Sequence, residues 1–501
     1  MTPLFDAWVA WALFIFSSLL FVYAVRSIIF LTNARKFPIR KSKFTTNLDR
    51  NKLANDYVSS EDTVTRISSS ETQQDFASKQ LPFVSILVAT CNESIVIRQL
   101  LKSLSMQTYP IENFEIIIVD DSTDDTFDKI LKFSAGLKNV KAIHRGTREG
   151  WKGGALNKAI ELMSLHSFLA IVVDADAVLL SNTIEELVGE FSKRPPDAVA
   201  LQGFPVSKAW LSTMARQGKS EQQDRLADNN EYGNWVSRAI DFRLAQRNLV
   251  EFSAKEKLNL PIQITGSLFM IRSDVLKKTR FRSDLCEDWD LTLDLYLQSS
   301  TGRNLPSSHD RRLVCNSQGI RGMVVFDPHL QCYCEATTKL QSYFRQRMRV
   351  SEGHTRAFRK RVMLILQNNR LSLKDKFEIT LTGLQYAKFI AIPIIGILDI
   401  LIMASAFDTH LIFSNNIVIA SSIFTQAASF ILAVLAIILG ARVCTLVRKY
   451  GAKDIIGLLA LTLLTMPAFI IGSLQGFLRD QGIFYRTQRN ILQAIPDSTA
   501  A

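Results

Sequence analysis

Four long apolar stretches frame a chain whose middle alternates short apolar runs with polar, helix-patterned segments. Residues 7–31 carry one charge, Arg26, and are long enough to span a bilayer. The run is too long for a cleaved signal peptide, no basic residue precedes it and no small-residue cleavage site follows. Segments 385–406, 416–443 and 455–478 crowd the C-terminal quarter and are nearly free of charge. Their length favours membrane spans over buried core helices. From Phe83 the pattern changes. PFVSILVAT, FEIIIVDDS, VKAIHR and FLAIVVDAD read as strands, with helix-like stretches over 94–106, 124–137 and 153–165. Such alternation predicts an α/β domain built on a mainly parallel sheet, within residues 80–335.

Composition adds orientation. Mean hydropathy over the 501 residues is +0.10, high for a soluble protein, and the formal net charge is +12. Arg35, Lys36, Arg40, Lys41 and Lys43 follow the first span, whereas only Asp6 precedes it. The positive-inside rule then puts the following domain in the cytosol. Arg442, Arg448, Lys449 and Lys453 mark a second cytosolic loop. Single crossings throughout would leave the tail with Arg479, Arg486 and Arg489 outside. Pro467 and Gly472 allow the alternative, a broken or re-entrant hairpin. Cytosolic basic flanks account for the charge, and no nucleic-acid-binding signature is visible. Residues 42–80, rich in Ser, Thr, Asn, Asp and Gln, read as a linker or poorly ordered arm. Most of the six cysteines fall in the expected cytosolic part and should be reduced. Cys332 and Cys334 read as two packed strand cysteines, since C-x-C lacks the second pair of a zinc site.

The strand ends carry the candidate chemistry. Asp174 and Asp176 close FLAIVVDAD. Residues two apart share one strand face, so both carboxylates can meet where open α/β sheets bind ligands. The pair suits a hard divalent cation, Mg²⁺ or Mn²⁺. Thr90, Asn92 and Glu93 end the first strand, and Asp120 and Asp121 the second. Carboxylates there can bind a ribose and base; Asn92 and Ser122 can equally cap helices. In Gly150–Asn157 a lysine, Lys152, stands beside two glycines at a helix start. Glycine permits close backbone approach to a ligand, and lysine can meet a phosphate. Cys286-Glu287-Asp288-Trp289-Asp290 offers a general base beside an aromatic that packs on a sugar ring, or simply an acidic helix start. Between Arg345 and Arg361 lie seven basic residues and one acid. They suit an amphipathic helix on the inner leaflet, with arginines that neutralise a leaving diphosphate.

Thr-x-Asn-Glu, Asp-Asp-Ser, Lys-Gly-Gly-Ala-Leu-Asn, Asp-x-Asp, Thr-Gly-Ser, Glu-Asp-Trp-Asp and Gln-Arg-x-Arg occur in that order between apolar spans. The chain thereby resembles the membrane-integrated family 2 glycosyltransferases, the group of cellulose, mannan, hyaluronan and chitin synthases. The resemblance covers roughly residues 80–365 and the span layout. Phe484–Arg489 also looks like the tail motif of some members. It implies a GT-A (Rossmann-like) cytosolic domain with N- and C-terminal transmembrane helices. The implied division is a transmembrane helix at 7–31, a partly disordered cytosolic linker at 32–80 and the GT-A domain at 81–337. Amphipathic interface helices follow at 338–380, transmembrane helices at 381–480 and a cytosolic tail at 481–501.

By resemblance, Asp288 is the general base. Thr90, Asn92, Glu93, Asp120 or Asp121, Lys152, Asp174, Gln346, Arg347 and Arg349 bind the nucleotide sugar, a UDP-hexose in first instance. Asp174 and Asp176 hold the metal, and Thr265, Gly266, Glu287 and Trp289 meet the acceptor. The implied reaction is inverting transfer to a glycan or lipid acceptor, forming a β-linkage, of the polysaccharide-synthase type. The alternative is a single-sugar transferase to a lipid carrier or glycolipid. A non-enzymatic scaffold or channel would not need Asp174, Asp176 and Asp288 together. The implied location is the plasma membrane, or the Golgi in a eukaryote. One departure bears on this choice: where processive members have Gln-x-x-Arg-Trp, residues 346–350 end in Val350. Valine has no ring for a sugar to stack on, so short or single-sugar products are expected.

Overall fold

Runs rich in β-branched residues form the centre of one mixed sheet. The computed structural model describes residues 3–34, 81–207, 234–282, 284–298, 323–335, 337–406, 416–444 and 450–480. The linker, the basic residues 35–43, Cys315, Arg448, Lys449 and the 484–489 motif lie outside them. After helix α1 (Pro3–Asn33) come β1 (Val84–Thr90), α2 (Ile97–Ser105), β2 (Phe114–Asp120), α3 (Thr126–Ser134), β3 (Val140–His144), α4 (Trp151–Glu161) and β4 (Leu169–Asp174). A short β5 (Val178–Leu179), α5 (Thr183–Phe191) and β6 (Ala198–Ser207) follow. Next are α6 (Trp235–Ala245), a π-helix (Gln246–Phe252), α7 (Ser253–Leu258), β7 (Leu268–Arg272), α8 (Ser273–Thr279), α9 (Glu287–Gln298) and β8 (Met323–Cys334). The chain then becomes helical: α10 (Leu340–Gln367), α11 (Leu373–Gly383), α12 (Ala391–Ala406), α13 (Asn416–Val443) and α14 (Ala452–Leu478).

The sheet order is β3-β2-β1-β4-β7-β6-β8-β5. The expected parallel order holds for β3, β2, β1 and β4, and the interior residues of β1, β2 and β4 are buried on both faces. β7 runs antiparallel to β4 and β6, while β6 and β8 are parallel. This reversal matters for position. The C-terminal ends of β1, β2, β4, β6 and β8 meet the N-terminal start of β7 at one edge. One apolar cluster on each face covers the sheet.

Among the described residues, four helices have the length and composition to cross a membrane. Ile400, Met403, Phe424 and Phe430 are largely exposed on them, a surface that lipid rather than water would cover. The charge inside the first apolar run has a reason. Arg26 reaches Glu378 at 2.6 Å and Glu251 at 2.9 Å, and fully buried Lys255 meets Glu251 at 3.1 Å and Glu378 at 3.0 Å. Two carboxylates and two cations thus satisfy one another where either alone would be costly to bury. Burial works to raise the Glu251 carboxyl, yet Lys255 and Arg26 hold it at about 2. The cluster ties α1 to the domain that carries the sheet.

The last apolar segment is one continuous helix through Pro467, not a broken hairpin. It is the most buried of the four candidate spans, because it packs against α10. A Cβ on Gly472 would lie 2.2 Å from Ser351 Oγ and 2.3 Å from Met348 O. Gly472 and Gly476 therefore let the two backbones approach, as small residues do between apolar helices. The basic helix expected to lie on the leaflet is in part an internal helix: Ser351 through Phe358 are buried.

Candidate active site

Strand ends, a helix start and the first half of α10 enclose a cavity of about 1140 Å³. Thr90, Glu93, Asp121, Lys152, Asp174 and Asp176 line its sheet side. Thr265, Gly266, Glu287 and Asp288 line its centre, and Gln346, Arg347 and Arg349 close it from α10. Asn92 and Asp120 are not among the lining residues.

The two acids that end β2 are different groups. Asp120 is fully buried. Its carboxylate accepts from Thr90 Oγ1 at 2.5 Å, Ser122 Oγ at 2.5 Å and Ser122 N–H at 3.1 Å, and lies 2.8 Å from His144 Nδ1. It joins three strand ends beneath the cavity. Asp121 faces the cavity and forms a two-toothed pair with Arg145, at 2.6 and 2.5 Å. Asn92, at φ 53°, accepts from Thr123 N–H at 2.6 Å, and its own N–H donates to Ser122 Oγ at 2.6 Å. It ties the β1 and β2 loops together below the ligand space.

Lys152 occupies the middle. Its ammonium is 2.7 Å from Asp174 Oδ1 and 2.9 Å from Glu287 Oε1. Burial opposes the charge, but Asp174 and Glu287 hold it well above the ordinary lysine range. The glycines after it answer to protein packing rather than to a ligand. A Cβ on Gly153 would be 2.3 Å from Arg282 O, and one on Gly154 2.0 Å from Glu149 O. Asp174 Oδ2 accepts from Ser267 Oγ at 3.1 Å. Burial raises the Asp174 carboxyl, with Lys152 opposing and Asp176 adding to it. Two carboxylates at one strand end that both line the cavity offer oxygen donors of the kind a hard divalent cation takes. Among the described residues no group of three or more His, Cys, Asp or Glu could hold a metal. Ligand oxygens and water would therefore supply much of the shell.

Asp288 begins α9. Its Oδ1 accepts from Trp289 N–H at 2.8 Å and its Oδ2 from Gly266 N–H at 3.1 Å. Burial and then the adjacent Glu287 lift its carboxyl to about 6, against Lys152 and those two N–H groups. Asp290 turns away and pairs with Arg361 at 2.6 Å beneath α10. Thr265 donates its N–H to Gln202 at 2.7 Å. Trp289 is 4 % exposed, and one face stacks on His354, with ring centroids 4.5 Å apart. Little ring remains for a sugar. Burial holds His354 at about 4, so it is neutral near pH 7 and donates Nε2–H to Thr382 O at 2.8 Å. Val350 lines the cavity, and its carbonyl accepts from Cys286 Sγ at 3.4 Å. Cys332 and Cys334 lie together in β8, sulfurs 3.7 Å apart and unbridged.

Arg145, Gln202, Arg243, Arg247 and Lys388 are not candidates from sequence. Ser267 is the third residue of the Thr-Gly-Ser motif, and its hydroxyl meets Asp174. Arg247 lies in a polar helical stretch with no motif, and only the fold brings it to the cavity.

Residues 85–252 match the Glycosyl transferase family 2 model. This stretch, about one third of the chain, is similar to a family 2 glycosyl transferase domain. A probable glycosyltransferase of Sulfolobus acidocaldarius is 25 % identical over 324 residues, 64 % of this chain and 59 % of that protein. A beta-monoglucosyldiacylglycerol synthase of Nostoc is 36 % identical over 124 residues, 24 % of this chain and 26 % of the synthase. The chain thus spans less than two thirds of either relative. The mannosyltransferase PcManGT of Pyrobaculum calidifontis, solved with GDP-Man and Mn²⁺, superposes with a TM-score of 0.46 at 16 % identity, over 83 % of this chain and 98 % of that one.

The two acids of β2 should separate in experiment. Asp120→Ala removes a fully buried hub of charged hydrogen bonds, each worth about 1.5–3 kcal/mol, and is expected to lower Tm by several degrees. Asp121→Ala should keep Tm nearer that of the wild type and weaken nucleotide binding. Thermal unfolding and calorimetric titration in detergent measure both.

Proposed function

We propose that the chain is an inverting, membrane-embedded sugar transferase that takes a nucleotide sugar, a UDP-hexose in first instance, and forms a β-linkage to a glycan or lipid. One observation carries this reading: Asp288, raised to about 6, shares a cavity with the Lys152–Asp174 pair at the sheet edge where nucleotides bind. Asp121, Thr90 and Glu93 face the nucleoside, and Asp174 and Asp176 face the diphosphate. When bound, Mg²⁺ or Mn²⁺ supplies charge neutralisation to that diphosphate. Asp288 accepts the proton of the acceptor hydroxyl as that oxygen attacks the anomeric carbon. The bond to the diphosphate breaks with its electron pair, and Lys152, Arg347 and Arg349 offset the charge that develops there. A single displacement inverts the anomer.

The polysaccharide-synthase type and the single-sugar lipid type share this chemistry. Val350 in the cavity wall favours short products, and the partial match to a glucolipid synthase supports a lipid acceptor. In this reading the sheet domain faces the cytosol, where nucleotide sugars are made, and the four apolar helices anchor it.

Asp288→Asn keeps shape but cannot take the proton. Turnover is expected to fall roughly 10²–10⁴-fold, with nucleotide affinity close to that of the wild type; unchanged turnover would remove Asp288 from the role. The base works only when ionised. Wild-type kcat/KM should therefore decline as pH falls through about 6 and level off above it. Chelation by EDTA is expected to abolish transfer and added Mg²⁺ or Mn²⁺ to restore it; full activity in metal-free buffer would contradict the assignment of Asp174 and Asp176. Product sizing tests the third point. Wild type should add one or a few sugars, and Val350→Trp should lengthen the product.

A further inference from the structure

Charge in the cavity is segregated. Apart from Glu251, already held by Arg26 and Lys255, the acids that line it lie on the sheet side or at the start of α9. The side toward the apolar helices carries Arg243, Arg247, Arg347 and Lys388. None of these four has a carboxylate within salt-bridge distance among the described residues. Their contacts are aromatic: Arg243 over Phe469 at 5.2 Å, Arg247 over Phe252 at 5.7 Å, Arg347 over Tyr343 at 5.0 Å and Lys388 over Tyr23 at 4.3 Å. The Nε atoms of Arg247 and Arg347 are buried with no hydrogen-bond partner. Buried guanidinium groups left in this way are costly unless an anion completes them. Burial, with Arg347 adding to it, holds the Arg247 guanidinium below its ordinary range, and Asp288 acts on it in the opposite sense.

The cavity continues from these cations to apolar residues of α1, α12 and α13, among them Leu20, Phe30, Ile395, Phe430 and Ala433. Phe430 is also 72 % exposed on the outer apolar surface, so the lining reaches the zone that lipid would cover. A ligand that fits has a hydroxyl near Asp288, a phosphate beside it and an apolar tail.

We infer that Arg243, Arg247 and Lys388 form a subsite for the phosphate of an anionic phospholipid, whose headgroup hydroxyl is the acceptor. This rests on the transferase reading above and names its acceptor class. The phosphate diester is held on the membrane side of Asp288, while the donor diphosphate lies on the Lys152 side. The guanidinium groups orient the headgroup through charge-assisted hydrogen bonds, and its hydroxyl is then the oxygen that loses its proton to Asp288.

The full chain in detergent is offered phosphatidylglycerol or diacylglycerol, each with a panel of nucleotide sugars. Lipid retention is read separately by native mass spectrometry without donor. Phosphatidylglycerol should be retained and glycosylated in preference to diacylglycerol. Arg247→Gln should raise the KM for phosphatidylglycerol about tenfold or more, the worth of one charged hydrogen bond, and leave the donor KM little changed. Arg247→Lys should recover part of the loss. Arg243→Gln, expected to act in the same direction, serves if Arg247→Gln does not fold. Equal retention and glycosylation of diacylglycerol would overturn the inference. So would a rise in donor KM in place of lipid KM, which would assign Arg247 to the nucleotide diphosphate. No transfer from any donor to any lipid would defeat the transferase reading, whereas selective retention of phosphatidylglycerol would still uphold the subsite.

Discussion

The ammonium of Lys152 is the constraint on which the site depends. It lies between Asp174, at the end of β4, and Glu287, at the start of α9, with 2.7 and 2.9 Å contacts. Two elements far apart in sequence are thereby fixed to each other, and Asp288 is held one residue beyond the second contact. Without that cation, three carboxylates would repel one another across a partly dry cavity. With it, Asp288 keeps a carboxyl lifted to about 6, in the range where a base can accept a proton near neutral pH. A methyl added at Gly266 would lie 2.9 Å from the same ammonium.

The same logic orders the rest of the charge. Acids gather where strands end, because the sheet edge exposes their carboxylates to one space. Cations gather on the π-helix, α6 and α10, where the domain meets the apolar helices. Arg26, Glu251, Lys255 and Glu378 form a closed cluster between these regions. It secures α1 and leaves no spare charge for a ligand. Arg247, one turn before Glu251 on the π-helix, lies outside that closure.

Much of the fold was legible because it is local. Runs rich in β-branched residues gave β1, β2 and β4, and Thr90, Asp121 and Asp174 at or just past their ends do line one cavity. Period alone could not tell Asp120 from Asp121, since a one-residue step at a strand end turns the side chain from cavity to floor. The glycines beside Lys152 suit either a loop or close approach to a ligand, but the carbonyls of Arg282 and Glu149 occupy the space beside them. Trp289 read as a sugar platform, but His354, 65 positions later in the sequence, lies against its face. Pro467 suggested a break, yet packing on α10 accompanies an unbroken helix. For Gly153, Trp289 and Pro467 the missing information was a contact distant in sequence, which no local pattern carries.

The central claim is a single displacement at the anomeric carbon with Asp288 as base. Anomeric configuration of the product tests it most directly. Wild-type protein is incubated with a nucleotide α-sugar and its acceptor, and the new linkage is assigned by proton NMR before any equilibration. This account predicts the β-anomer alone. An α-linked product would mean retention, and would contradict both the single displacement and the role given to Asp288.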